Sequence, residues 1–168
     1  FIKREGRPTE KAIVSGRVID RALRPLFNSK IRNDIQVVIT VLSFDGENDP
    51  VIPGLIGAST ALSISDIPWN GPVGGVSIGR NEKDWIINPV NGNIENSVLN
   101  LIVTGTKDRV NMIEGGAKEV SEKIVVEALE LAKKQIENLI DFQENIIKEF
   151  KPEKLKLEIL EPDSKLVK

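Results

Sequence analysis

An α/β (α+β) fold is predicted by three features of the 168-residue sequence: an alternating apolar run at 34–44, four short strand-like runs between 73 and 114, and apolar stripes of helical period on either side of them. The first helix starts at Pro8-Thr9-Glu10, carries Ile13, Val14, Gly16, Val18, Ile19, Leu23 and Leu26 along one side, and ends at Pro25 and Asn28. Asp34 to Phe44 reads as a long strand with Ile35, Val37, Ile39 and Val41 on one face and Val38 and Leu42 on the other, so both faces are expected to be covered. A turn at Asp45-Gly46-Glu47-Asn48-Asp49-Pro50 leads into a helix from Val51 to Ser65. Its small residues Gly57, Ala58, Ser59, Ala61 and Ser63 predict close packing on a sheet.

Strands are then expected at 73–79, 84–88, 98–105 and 109–114, with turns at Asn91-Gly92 and Thr106-Lys107-Asp108. From about Ala117 the period becomes helical, through Val120, Ile124, Ala128, Leu131, Ala132, Ile136, Leu139, Ile140, Ile147 and Phe150. Ser121 is the expected cap and Lys151-Pro152 the stop. A helix of that length is unusual in a globular domain, which predicts a break near Lys133 to Glu137. Residues 151–168, rich in Lys and Glu with Pro152 and Pro162, read as a linker.

Composition excludes whole classes of chemistry. The sequence has no His, Cys or Tyr, so a Ser-His-Asp triad, a cysteine nucleophile and a Cys/His zinc site cannot be built from these residues. No apolar run approaches the length of a membrane span, and the absence of Cys fits a reducing compartment. The net charge of −2 conceals an asymmetry: residues 1–32 hold nine basic and three acidic groups, +6, which leaves −8 for the remainder. A basic segment on an acidic body points to a local anion partner, with nucleic acid the leading candidate and a solvated helix face the plain alternative.

The basic segment opens with Phe1-Ile2-Lys3-Arg4-Glu5-Gly6-Arg7 and runs into a helix N-terminus, where amides and the helix dipole also favour anions. Lys3, Arg4 and Arg7 for phosphates and the Phe1 ring for base stacking are the two ingredients of single-strand binding. Other groups read as structural: Arg17, Arg21 and Arg24 with Asp20 as ion pairs, Trp69 and Trp85 as core, Asp45, Glu47 and Asp49 as a solvated turn, and Glu114, Glu119 and Glu122 as a charged face at the helix entry.

The runs FIKREGRPTEKAIVSGRVIDRALRPLF, NDIQVVITVLSFDGENDPVIPGLIGASTALSISDIPWNGPVGG, LNLIVTGT and MIEGGAKEVSE occur in order over nearly the whole chain. Together they resemble the first ribonuclease-PH-like domain of the bacterial polynucleotide phosphorylases. The resemblance implies a ribosomal-protein-like βαβ domain, incomplete at its N-terminus. Residues 1–118 would form its C-terminal major part, 119–150 a helical segment that closes the domain and starts an all-helical connector, and 151–168 a linker. It also implies a reversible phosphorolytic 3′-to-5′ exoribonuclease acting in mRNA degradation, with inorganic phosphate as co-substrate. Mg2+ would be held in a second, catalytic copy of the fold. The expected partners are single-stranded RNA, two further copies in a homotrimer and RNA-degradation proteins, in the cytoplasm, with no membrane and no DNA.

The family's RNA loop is usually Phe-Phe-Arg-Arg; here it is Phe1-Ile2-Lys3-Arg4, with one ring fewer and one Arg replaced by Lys. The catalytic copy presents Asp, five residues, Asp, one residue, Lys before an apolar strand end, and the aligned positions here are Ile94, Asn100 and Ile102. Its Ser-rich phosphate turn aligns with Asn48-Asp49-Pro50-Val51, which brings a negative charge and a residue without an amide proton. The resemblance therefore implies that this domain guides RNA and builds the trimer, with no catalytic residue of its own. Two other readings stay open at this point: a stand-alone, non-catalytic RNA-binding or scaffold subunit of an exosome-type ring, and an unrelated α/β metabolite-binding protein.

Overall fold

The computed structural model describes residues 6–82, 84–90 and 97–157. Helix α1, Glu10–Leu23, runs into a short 3-10 turn at Arg24–Leu26, and α2 spans Val51–Ile64. Four strands follow, β1 Gly74–Arg80, β2 Trp85–Ile87, β3 Leu99–Gly105 and β4 Val110–Ala117, before helix α3, Glu122–Phe150. The strands form one antiparallel sheet in the order β2-β1-β3-β4, with Ser77 opposite Ile102 and Ile102 opposite Glu114. The expected Thr106-Lys107-Asp108 turn closes the β3–β4 hairpin, with Thr106 N donating to Arg109 O. The Asn91-Gly92 turn lies outside the described residues.

Strand alternation sends side chains to two faces, and each face has its own cover. Val76, Ile78, Leu99, Leu101 and Val103 pack under Ala128, Ala132, Ile136 and Ile140 of α3. On the other face Val73 and Met112 join a second cluster with Val18, Ile19, Ala22 and Leu23 of α1 and Leu55, Ala58 and Leu62 of α2. The buried line of α3 recurs every four residues and then three, through Ala128, Ala132, Ile136, Ile140 and Gln143. One face thus stays on the domain across the region where a break is expected, and α3 is continuous over its 29 residues. Ser121 occupies the cap position, but its hydroxyl makes no capping bond.

Two further expectations are corrected. Residues 34–44 are extended but pair with no strand among the described residues. Their alternation is present: Ile35, Val37 and Ile39 face α1, and Ile39 also packs by Gly54 of α2. The outer face is bare, with Val38 74% and Leu42 92% exposed, because no described element lies beyond it. Of the small residues of α2, Ser59 meets the sheet as expected, but others turn elsewhere. Gly54, Gly57, Ala58 and Ala61 line a groove of about 810 Å3 against residues 36–45, while the sheet is met by Leu55 and Ser59, next to Gly75 and Val73.

Residues 151–157 have no regular structure yet are tied down. Lys151 at φ 45° reverses the chain after α3. Lys154 Nζ then donates to the carbonyls of Leu62, Ser63 and Ser65 at 3.0, 2.9 and 2.7 Å, and so caps the negative end of α2. Trp69 and Trp85 sit half-buried at the edges of the two clusters instead of inside them, Trp85 beneath the Arg80 guanidinium at 4.6 Å.

The paired glycines of β4 separate two roles. A Cβ on Gly115 would fall on the Asn100 carbonyl oxygen and 2.8 Å from Leu101 Cα, whereas one on Gly116 meets nothing within 4 Å. Gly115→Ala is therefore expected to destabilise the fold by roughly 1–3 kcal/mol in urea unfolding, with Gly116→Ala near neutral. Equal effects of the two substitutions would contradict the close approach.

Candidate functional site

Of the four residues expected to contact RNA, Phe1, Lys3 and Arg4 lie outside the described residues. Arg7 is described, exposed on the loop that enters α1. Beyond it the first two turns of α1 project from the body, since every residue from Glu10 to Arg17 except half-buried Ser15 is exposed. Arg7, Lys11 and Arg17 make this projection basic. The helix N-terminus is not an open anion site, however. Thr9 Oγ1 accepts from Ala12 N at 3.2 Å and Glu10 places a carboxylate in the first turn. Any anion attracted here is drawn by side chains more than by helix amides.

The other arginines of α1 take structural partners. Arg24 grips Asp20 through two bonds of 3.1 and 2.6 Å, and Arg21 reaches Glu114 on β4. Glu114 therefore belongs to the sheet and not to the helix entry, while Glu119 sits in the turn before α3 at φ 52° and Glu122 in its first turn.

The sheet face opposite α3 is covered by α1 and α2 only toward Thr104 and Met112. Farther along, Ser77, Asn100 and Ile102 are left facing a cavity of about 880 Å3, closed on its other side by Asn48, Asp49, Val51 and Ile52 at the start of α2. The turn aligned with a phosphate-receiving loop and two of the positions aligned with a carboxylate and a lysine thus meet around one space. Ile94, the third position, lies outside the described residues. Asp49 is the single charged residue among the described lining. Its Oδ1 accepts from Val51 N at 3.0 Å and its Oδ2 sits 3.4 Å from Lys11 Nζ, so the chain's own carboxylate occupies the positive end of α2. Asn100 Oδ1 accepts from Ser77 Oγ at 3.4 Å. A phosphate entering here would meet a carboxylate, an apolar isoleucine and neutral amides.

Asp45 organises the turn ahead of this cavity. The Asn48 side-chain amide, then the backbone N–H groups of Asn48 and Glu47, donate to its carboxylate and hold its pKa down at about 2. Glu47 does not join it in a metal-binding cluster: among the described residues no group of three or more Asp and Glu is placed to hold an ion.

In this α/β domain a helix N-terminus and a strand face thus converge on one cavity. The chain belongs to the 3′ exoribonuclease family, whose domain 1 matches residues 1–68 and whose domain 2 matches residues 71–135. The polyribonucleotide nucleotidyltransferase of Thermosipho melanesiensis is 47% identical over 167 residues, covering 99% of this chain and 24% of that protein. The enzyme of the same name from Heliobacterium modesticaldum is 53% identical over 147 residues, 88% of this chain and 21% of that protein. That from Bacillus subtilis is 46% identical over 166 residues, 99% of this chain and 24% of that protein. The chain spans about a quarter of the length of these curated relatives.

Two polar features escaped sequence reasoning. Gln143 stands in a Lys/Glu-rich helix but is fully buried, and Lys154 belongs to a stretch that reads as a linker. Only the position of Gln143 on the apolar stripe of α3 could have marked it.

The turn supplies a pH test. Because Asp45 is depressed, its contribution is fully present above the unfolded value of 3.8 and is lost as pH falls through about 2. The Asp45 carboxyl is expected to titrate near 2 by NMR, in step with loss of the Asn48 amide shift; titration close to 4 would show that these bonds do not form.

Proposed function

We propose that this chain is part of a phosphorolytic 3′-to-5′ exoribonuclease, in which it guides single-stranded RNA and helps to build a homotrimer while another copy of the fold performs the reaction. The relatives' shared name supports the activity of the whole protein, in which RNA and inorganic phosphate yield nucleoside diphosphates reversibly. The observation that carries the division of labour is the cavity between α2 and β3. Its phosphate end is filled by Asp49, and Asn100 and Ile102 stand where a metal carboxylate and a lysine are needed. Mg2+ and phosphate would act in the other copy, in a cytoplasmic protein of mRNA degradation that also meets RNA-degradation partners.

RNA guidance would fall to Lys3, Arg4 and Arg7 on phosphates and Phe1 on a base. The projecting basic turns of α1 support this placement, since they carry Arg7 clear of the acidic body. The test is RNA affinity of the complete protein across a salt series with Lys3, Arg4 and Arg7 replaced by Ala. Each lost phosphate contact is expected to reduce the log–log salt slope by about 0.7. An unchanged slope and affinity would remove these residues from the RNA path.

Purified residues 1–168, supplied with magnesium, phosphate and a homopolymer RNA, are expected to release no nucleoside diphosphate. Release by this piece alone would overturn the division of labour.

A further inference from the structure

The cavity between α2 and β3 is hostile to phosphate, yet the chain does not fill it. At about 880 Å3 it falls within the size range of small-molecule sites, and most of its walls are apolar. Ile52, Ile56, Thr60 and Ile64 stand four residues apart along one flank of α2, and Ile102 of β3 lines the same space. Phe142 of α3 also lines it and is 59% exposed, so its ring is open to a ligand.

Polar groups reach the lining from three places: Ser77 on β1, Asn88 just after β2 and Asn100 on β3. Asn100 Oδ1 accepts from Ser77 Oγ at 3.4 Å, and Asn88 Oδ1 accepts from Ser77 N at 3.0 Å. With both oxygens engaged, what the two carboxamides have left to give a ligand is N–H. Asp49 is the single charge among the described lining; it spends one oxygen on Val51 N and holds the other 3.4 Å from Lys11 Nζ. It repels an anion, and its pairing with Lys11 weakens its pull on a cation. Apolar walls, amide donors and one paired carboxylate together select an uncharged ligand with a ring body and acceptor atoms on its edge. A heterocyclic base has both, a π face and carbonyl or ring-nitrogen acceptors.

We propose that this cavity binds an uncharged nucleoside, its base lying in the apolar slot and its edge accepting from Asn88 and Asn100. Asp49 sets the preference for a nucleoside over its phosphorylated forms. The proposal rests on the non-catalytic reading of the same cavity, since a site that performed phosphorolysis would have to admit phosphate.

Equilibrium dialysis of labelled adenosine and, separately, uridine against the full-length protein measures the binding. The difference between the wild type and an Ile56→Trp variant, whose indole fills the slot, isolates this cavity, because a nucleoside site elsewhere cancels. A saturable difference is expected with at least one nucleoside. Asn100→Ala leaves the slot open and α2 untouched, and is expected to weaken the binding about tenfold, a readout that does not need the Ile56→Trp protein. AMP, the same base with a phosphate, is expected to bind this cavity about tenfold more weakly than adenosine. Asp49→Asn keeps a side-chain oxygen for Val51 N and is expected to narrow that gap. The proposal is overturned if neither nucleoside gives a difference, if Asn100→Ala leaves the affinity unchanged, or if AMP binds as tightly as adenosine. It is overturned equally if single-stranded RNA occupies the cavity and neither nucleoside does. None of these results touches the salt slope or the inactivity of residues 1–168, whereas phosphorolysis by that piece would remove the reading beneath the proposal.

Discussion

The arrangement of the sheet against its helices depends on one buried side chain. Gln143 of α3 donates through Nε2 to Val73 O and Leu139 O, and its Oε1 accepts from Ser59 Oγ and Thr60 Oγ1 of α2. Ser59 Oγ in turn accepts from Val73 N at 2.9 Å. The amide is completely used, and three separate elements share it. An apolar contact tolerates sliding by an ångström, but a buried amide or carbonyl left unpaired costs on the order of 1–3 kcal/mol, so α2, α3 and the entry to β1 are held in one mutual register. With Val73 fixed, the alternation of β1 follows, and Ser77 is delivered to the cavity while Val76 and Ile78 go under α3. The site therefore inherits its geometry from a hydrogen-bonded knot at the entry to β1, one member of which, Thr60, also lines the cavity.

Much of this was legible in the residues because period and burial agree. The stripes of α1 and α3 and the four short strands are each visible as apolar spacing, and Thr9 and Pro25 bracket α1 as capping chemistry requires. What could not be read depends on partners distant in sequence. Residues 34–44 have ideal strand alternation, yet a strand exists only through hydrogen bonds to a neighbour, and no described segment offers them. The expected break in α3 rested on length, which is a statistical argument. Continuity rests on Ile136 and Ile140 lying over the sheet, which is a packing fact. Lys154 is the sharpest case. Its composition class says solvated linker, and only the fold reveals that the free carbonyls of α2 end within its reach.

The cavity between α2 and β3 was legible in a different sense. Alignment of Asn48-Asp49-Pro50-Val51 and of Asn100 and Ile102 with functional positions says nothing about whether those segments meet; the antiparallel register of β1 with β3 and the packing of α2 on Gly75 bring them together. The expectation of an anion-friendly N-terminus at α1 failed for a local reason. Thr9 consumes an amide donor and Glu10 opposes the dipole's appeal to a second negative charge. The N-termini of α1 and α2 thus each carry an oxygen atom of the chain itself, accepting from one amide.

The cap on α2 has an electrostatic consequence for the basic end of the molecule. Lys11 projects from α1 but sits 3.4 Å from Asp49 and 6.0 Å from the centre of the Phe44 ring, so part of its charge is committed to the turn before α2. Asp20 neutralises Arg24 and Glu114 neutralises Arg21 in the same way. Both partners of each pair are well exposed, so each pair stabilises the fold by at most about 1 kcal/mol; yet each also removes a cation from the set able to meet a mobile phosphate. Among the described residues of α1 and its leading loop, Arg7 and Arg17 are exposed and take part in none of these pairs. Of the described cations in the +6 segment, Lys11 ties α1 to the turn before α2, Arg21 ties it to β4, and Arg24 pairs within its own helical run.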